Sequence, residues 1–279
     1  MLFVALRAPC AIVAGMLRPL FSLMLFFAAP AATAGAWLQP AGQGLFIAQA
    51  AFYTSNKFYD ANGNTARQPR FSKYELQPYI EYGANAWLTI GGSAYAQRVE
   101  QSGNGNIGLA DPELFARGEV WREGSQRLAI QPLIKFSSYF RDSGTPRGGS
   151  RSVDAELSLL YGRNLTLIST DDYLDAGVGY RLRGSNRSPE WRGDLAAGFH
   201  VADGIQIVPA IHAVVATDLN EAQAFSQNGD LDSSYLKAEM AALYHLDSTQ
   251  WLSASLSKTM AGIQAGDGYG LSLGYARRF

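Results

Sequence analysis

The sequence holds one cysteine in 279 residues, three histidines and only 17% charged side chains. The cysteine, Cys10, lies in the first apolar stretch, so the rest of the chain has neither a disulfide nor thiolate chemistry. Beyond Trp37 no run of about 18 apolar residues escapes interruption by Gly, Pro or charge, which excludes a polytopic helical membrane protein. Basic residues are not in excess, with 23 Lys and Arg against 24 Asp and Glu, so a nucleic-acid footprint is missing. Disorder is excluded as well, because aromatics make up 12% of a nearly neutral chain.

What is present begins with a leader. In residues 1–34 the only charges are Arg7 and Arg18, followed by the apolar run Leu20–Ala29, Pro30 and the small-residue site Ala32-Thr33-Ala34. This pattern predicts a secretory signal peptide over 1–34 and a mature domain over 35–279, with Met16 a more conventional start than Met1.

In the mature part apolar residues return every second position. In SKYELQPYIEYG (72–83), Tyr74, Leu76, Pro78, Ile80 and Tyr82 share one face while Lys73, Glu75, Gln77, Tyr79 and Glu81 share the other. The same period marks 127–136, 153–161, 173–183, 191–200, 235–245 and 269–279, with weaker copies at 43–53, 87–99, 112–122, 205–216 and 251–260. The count is about twelve strands. Each is longer than the roughly 5–6 residues typical of a soluble sandwich and suits a tilted membrane crossing.

Tyr82, Tyr161, Phe199, Tyr244 and Phe279 end alternate strands on the apolar face, as an aromatic girdle requires. Connections after odd strands (54–70, 100–111, 140–152, 184–190, 217–234, 261–268) are longer than 83–86, 123–126, 201–204 and 246–250; the connection 164–172 departs from the rule. The sequence therefore predicts an all-β fold, an antiparallel up-and-down transmembrane β-barrel, in the outer membrane of a Gram-negative bacterium. Both termini fall on the short-turn, periplasmic side. The final strand, ending in Phe279, resembles the terminal aromatic signal of outer-membrane proteins and so implies the barrel-assembly machinery and outer-membrane lipids as partners. Pro78, Pro132 and Pro209 lie inside strands in the apolar phase, where bulges or missing ladder bonds are expected.

Catalytic chemistry is hard to find. Gly103–Gly108 matches G-x-G-x-x-G, but another strand follows instead of the helix that a dinucleotide site needs. Asn164-Leu165-Thr166 reads as a turn. His200 and His245 close strands on the periplasmic side and His212 sits mid-strand, with no serine in register. No catalytic residue, metal ligand set or cofactor is assigned; Asp218, Asp230 and Asp232 form at most a weak loop cation site.

The inward phase is rich in charge. It carries Lys73, Arg117, Arg127, Lys135, Arg181, Arg183, Arg192 and Lys237 against Glu75, Glu81, Glu113, Glu119, Asp154, Glu156, Asp175, Asp194 and Glu239. Four strands repeat a base followed two residues later by an acid: Lys73/Glu75, Arg117/Glu119, Arg192/Asp194 and Lys237/Glu239. These side chains are candidates to line the lumen, either as a basic level above an acidic one or as four local salt bridges.

Several segments carry a family resemblance: YTSNKFYDANG (53–63), Glu81-Tyr82-Gly83, Gly108-Leu109-Ala110-Asp111, LYGR (160–163), GYRLRG (179–184) and EWRGDLAAG (190–198). The chain resembles the MetA-pathway-of-phenol-degradation family of outer-membrane transporters. The resemblance implies a twelve-stranded barrel, uptake of small aromatic or apolar molecules, and structural turn or rim roles for Glu81, Tyr82, Gly83, Gly108 and Asp111. The expected function is thus a non-enzymatic channel for a small-molecule solute. The alternatives are a lipid-modifying hydrolase and a structural barrel with a plugged lumen. Protein purified from outer membranes is expected to give an intact mass beginning at Gly35; a chain retaining Met16–Ala34 contradicts the leader assignment.

Overall fold

The structure, a computed structural model, describes residues 35–140, 146, 148–185, 187–218 and 232–279. The leader 1–34, Asp230 and most of the connection 217–234 lie outside the described residues. Strands β1 (Gly44–Tyr59), β2 (Thr65–Asn85), β3 (Leu88–Gln101), β4 (Asn104–Glu123) and β5 (Gln126–Lys135) come first, then the two-residue β6 (Tyr139–Phe140). They are followed by β7 (Asp154–Leu165), β8 (Asp172–Leu182), β9 (Glu190–Ala202), β10 (Ile205–Ala216), β11 (Ser234–His245), β12 (Gln250–Ile263) and β13 (Ala265–Arg278). Each long strand pairs antiparallel with its neighbours, and β1 pairs with both β2 and β13, so twelve strands close into a barrel. Closure leaves no strand edge, the condition for a sheet to sit in hydrocarbon.

Alternation decides which residues meet lipid. Along β2, Lys73, Glu75, Gln77, Tyr79 and Glu81 are buried inside the barrel while Tyr74, Leu76, Ile80 and Tyr82 are exposed outside. From Tyr74 to Tyr82 the strand advances about 26 Å at roughly 3.3 Å per residue, which a tilt of about 35–45° turns into a height of about 19–22 Å, most of the apolar band of about 25 Å expected between aromatic girdles. Tyr82, Tyr244 and Phe279 are exposed at one end of the band, and Tyr74, Trp191 and Tyr269 at the other.

Three expected long loops are mostly strand. Segments 54–70, 100–111 and 261–268 form tall hairpins, turning at 60–64, at Ser102-Gly103 and at Gln264. Above the apolar band both faces of a strand meet water, so Ser55-Asn56-Lys57 and Asn104-Gly105-Asn106 lose the two-residue contrast while the ladder continues through Lys57↔Arg67 and Gln101↔Asn104. Ser102 and Gly103 have φ of 52° and 81°, the pair of left-handed residues of a type I′ turn, so the first glycine of the G-x-G-x-x-G string is a hairpin glycine. The length asymmetry survives in the 136–153 and 217–233 connections against 86–87, 124–125 and 203–204. In the turn at 246–249, Asp247 accepts from the Thr249 hydroxyl and N–H and from Gln250, which holds its carboxyl below the usual range.

The strand prolines face outward, and each interrupts one ladder. Between β2 and β3 pairing jumps from Leu76↔Ala96 to Tyr79↔Ser93 around Pro78. Between β4 and β5 it jumps from Phe115↔Leu133 to Gly118↔Ile130 around Pro132, and between β9 and β10 from Ile207↔Phe199 to Ala210↔Ala196 around Pro209.

Leu76→Arg, which places a guanidinium in the apolar band, is expected to cost about 2–4 kcal/mol of unfolding free energy, whereas Asn62→Arg at the water-facing hairpin tip should cost under about 0.5 kcal/mol. Urea titration in lipid vesicles measures both.

Candidate functional site

The barrel interior is where the inward-facing charges meet. Lys73 pairs with Glu75 at 2.7 Å and Lys237 with Glu239 at 3.4 Å, both within one strand. The two arginine pairs of the repeated pattern behave differently, because a long guanidinium fork can take an acid other than the one two residues on. Arg117 binds Glu81 at 2.9 Å, leaving Glu119 to Arg122 and Arg127 at the periplasmic rim. Arg192 binds Glu190 at 2.9 Å, leaving Asp194 to the His212 ring at 2.6 Å. Arg181 joins Glu156 at 2.6 Å to Glu113 at 3.3 Å, and Lys135 joins Asp154 at 2.5 Å to Asp111 at 3.5 Å. Acids and bases are therefore interleaved around the wall rather than stacked as two separate levels.

Each end of the lumen carries a closure. On the periplasmic side residues 35–40 enter the barrel: Ala36 is fully buried against Ala129 and Leu160, and the Trp37 indole N–H donates to Asp175 Oδ1 at 2.6 Å. Arg117 donates to the Trp37 carbonyl at 2.9 Å, Gln39 donates to Glu81 at 2.7 Å, and the Arg127 guanidinium lies 5.0 Å from the Trp37 ring centroid. The Gly83 position lies so close to the Gln39 and Pro40 carbonyls that a side chain there would overlap them.

On the outer side the connection 148–152 tucks back over the lumen. The Ser150 N–H donates to Asp111 Oδ1 at 2.9 Å, Ser152 Oγ donates to Asp154 at 3.0 Å, and Arg187 donates to Ser150 Oγ at 3.3 Å. Asp111 holds this cluster with a left-handed φ of 42°. Its carboxylate also accepts from Ser138, and Lys135 neutralises it. Glu81 and Asp111, which the family resemblance implied to be turn or rim residues, are thus anchors of the two closures, fully or almost fully buried. Gly108 does sit at the outer rim, directly beneath the β6 backbone.

Between the closures the free space is small and uneven. A cavity of about 290 Å³ lies beside the inner segment, lined by Trp37, Leu45, Tyr173, Leu243 and Trp251 and as much by polar groups, among them Glu81, Arg117, Asp171, Asp175, His245 and Arg278. A pocket of about 30 Å³ lies nearer the middle, between Lys73/Glu75, Lys237/Glu239 and the hydroxyl wall Ser255, Ser257, Thr259 and Ser272. Aromatic and aliphatic clusters flank the charged zone: Phe71 and Val99 with Tyr53 and Phe140 on the outer side, Leu45, Ile47, Tyr79 and Trp251 on the inner. His200 and His245 have ring centroids 5.9 Å apart at the inner mouth, and His200 approaches Gln206 rather than a serine. Among the described residues no group of three or more His, Cys, Asp or Glu could hold a metal ion.

Trp37, Gln39 and loop 148–152 carried no sequence signal, because their partners are remote: Trp37 and Asp175 are 138 positions apart. Asp175 itself was legible from its inward phase.

No protein-family model matches the sequence, and no curated protein matches it. Among solved structures, an outer-membrane channel from Pseudomonas putida F1 aligns with a TM-score of 0.69 at 14% identity, covering 86% of this chain and 97% of its own. The NanC porin aligns at 0.53 and 8% identity, covering 83% of this chain and 98% of the porin. A TodX mutant, described as a monoaromatic hydrocarbon channel, aligns at 0.50 and 8%, covering 86% of this chain and 91% of its own. Likeness at these identities establishes the fold, which is that of the Gram-negative outer membrane.

Replacing Arg117 by Leu removes the cation shared by Glu81 and the Trp37 carbonyl. The expected loss is about 3–5 kcal/mol of stability, because a buried carboxylate is left unpaired. Arg117→Leu with Glu81→Leu should recover most of it, and urea unfolding of the single and double variants provides the check.

Proposed function

We propose that the chain is an outer-membrane channel for small apolar or aromatic molecules, of the kind suggested by its resemblance to the MetA-pathway-of-phenol-degradation transporters. The observation that carries this reading is the 290 Å³ cavity walled by Trp37, Leu45, Tyr173, Leu243 and Trp251. An apolar cavity of roughly 150 Å³ already accommodates benzene, so this one has room for a single-ring solute. The ring and leucine wall faces polar and charged side chains, among them Glu81, Arg117, Asp171, His245 and Arg278, which would orient a solute that carries a polar group. The P. putida outer-membrane channel and the TodX monoaromatic hydrocarbon channel, alike in fold, lend support to this reading.

The second reading, a structural barrel with a plugged lumen, is favoured by the presence of a closure at each end. The two readings separate in a planar bilayer. Wild-type protein should conduct in small steps, and a variant lacking Gly35–Gln39 should conduct in larger ones. Charge reversal of Lys73 and Lys237 together should shift the reversal potential toward cations. Silence of both wild type and deletion variant, with the barrel folded, would leave the structural role as the better account.

A further inference from the structure

Asp175 stands apart from the other inward carboxylates. Glu75, Glu81, Glu113, Glu119, Asp154, Glu156, Asp194 and Glu239 each have a cationic or histidine partner. Asp175 has the neutral Trp37 N–H, and no ion pair reaches it among the described residues. What lies against it is Gly35, the residue that follows the expected cleavage site. A substituent at the Cβ position of Gly35 would sit 2.7 Å from Asp175 Oδ2 and 2.9 Å from Oδ1.

We propose that removal of the leader creates the missing cation: the α-ammonium of Gly35 docks on Asp175 and fastens the N-terminal segment inside the barrel. Hydrolysis of the Ala34–Gly35 amide consumes one water, leaves a carboxylate on Ala34 and frees an amine on Gly35. That amine, with an ordinary pKa of about 7.7–8.0, takes up a proton near neutral pH. Before cleavage the nitrogen is a neutral amide tied to the chain. Afterwards it is free to swing about the Cα–C bond.

On a terminal glycine, that rotation carries the nitrogen into the direction a Cβ would take, since the C–N and C–C bonds differ by only about 0.06 Å. The distances to both Asp175 oxygens then fall in the range of charge-assisted hydrogen bonds. The Trp37 ring, whose Cδ1 lies 2.5 Å from the same point, must move aside. The inner closure is thus completed by processing, after export, and this holds whatever solute the barrel passes.

The test starts with protein purified from outer membranes and an intact mass beginning at Gly35. Brief acylation at neutral pH with acetic anhydride, read by peptide mass spectrometry, compares the Gly35 amine with the exposed Lys57 amine. Asp175→Asn should raise the relative labelling of Gly35 about tenfold or more, as expected if an ion pair shifts the amine by one pKa unit or more. Insertion of two alanines between Ala34 and Gly35 moves the amine away from the carboxylate and should raise labelling of the new terminus equally, with no further rise on adding Asp175→Asn. Heat-modified electrophoretic mobility confirms folding of each variant. If Asp175→Asn does not fold, the insertion variant alone decides. A mass beginning at another residue, or a terminus that labels equally in wild type and variants, overturns the proposal.

Discussion

Hydrocarbon offers a backbone no hydrogen-bonding partner, so a sheet that enters it has to return to its own first strand. Here the fourteen-residue β13 (Ala265–Arg278) lies along β1 from Leu45 to Tyr59 and makes that return. The rest follows from it. Once the ring is closed, every second side chain points inward, and an interior walled by Lys73, Glu81, Arg117, Lys135, Asp154 and Arg181 must neutralise itself without bulk water. The ion pairs are therefore a consequence of closure. The apolar layers above and below them show how little of the interior is left for water.

Much of the barrel was legible because its signal is local. Tyr74 through Tyr82 announces a strand, an inside and an outside within nine residues, and the remaining strands repeat the pattern. Lys73/Glu75 and Lys237/Glu239 were legible for the same reason, since lysine paired with the acid two positions on. Arg117 and Arg192 were not, because Arg117 reaches past β3 to Glu81 on β2 while Arg192 turns back to Glu190 on its own strand, choices that the base–acid spacing does not carry. The tall hairpins were read as loops because periodicity reports the contrast between lipid and lumen, and that contrast vanishes above the membrane.

The closures were hidden for another reason. Residues 35–43 have no repeated pattern, yet they bring an indole, an amide and a main-chain carbonyl to Asp175, Glu81 and Arg117, which belong to three different strands. Such a site exists only once the cylinder does. The Asp111–Lys135–Asp154 cluster is comparable, joining β4, the end of β5 and the start of β7 to hold a loop from above.

The outward prolines have a mechanical consequence. A barrel wall resists bending through its continuous hydrogen-bond ladders, and these are interrupted inside the membrane band at Pro78, Pro132 and Pro209, with a further register shift between β3 and β4 at Ser93/Tyr95. No proline gap crosses the span from β5 through β7 and β8 to β9, or the span from β10 around to β2, where the ladders shift register only at Leu236/Lys237 and Ser55/Lys57. The cross-section is then two stiff panels, of four and six strands, hinged directly at the Pro209 seam and joined on the other side by the compliant ribbon β3–β4. Lateral pressure from the bilayer flexes such a ring at its seams, and the panels, with the charge networks they carry, move as units.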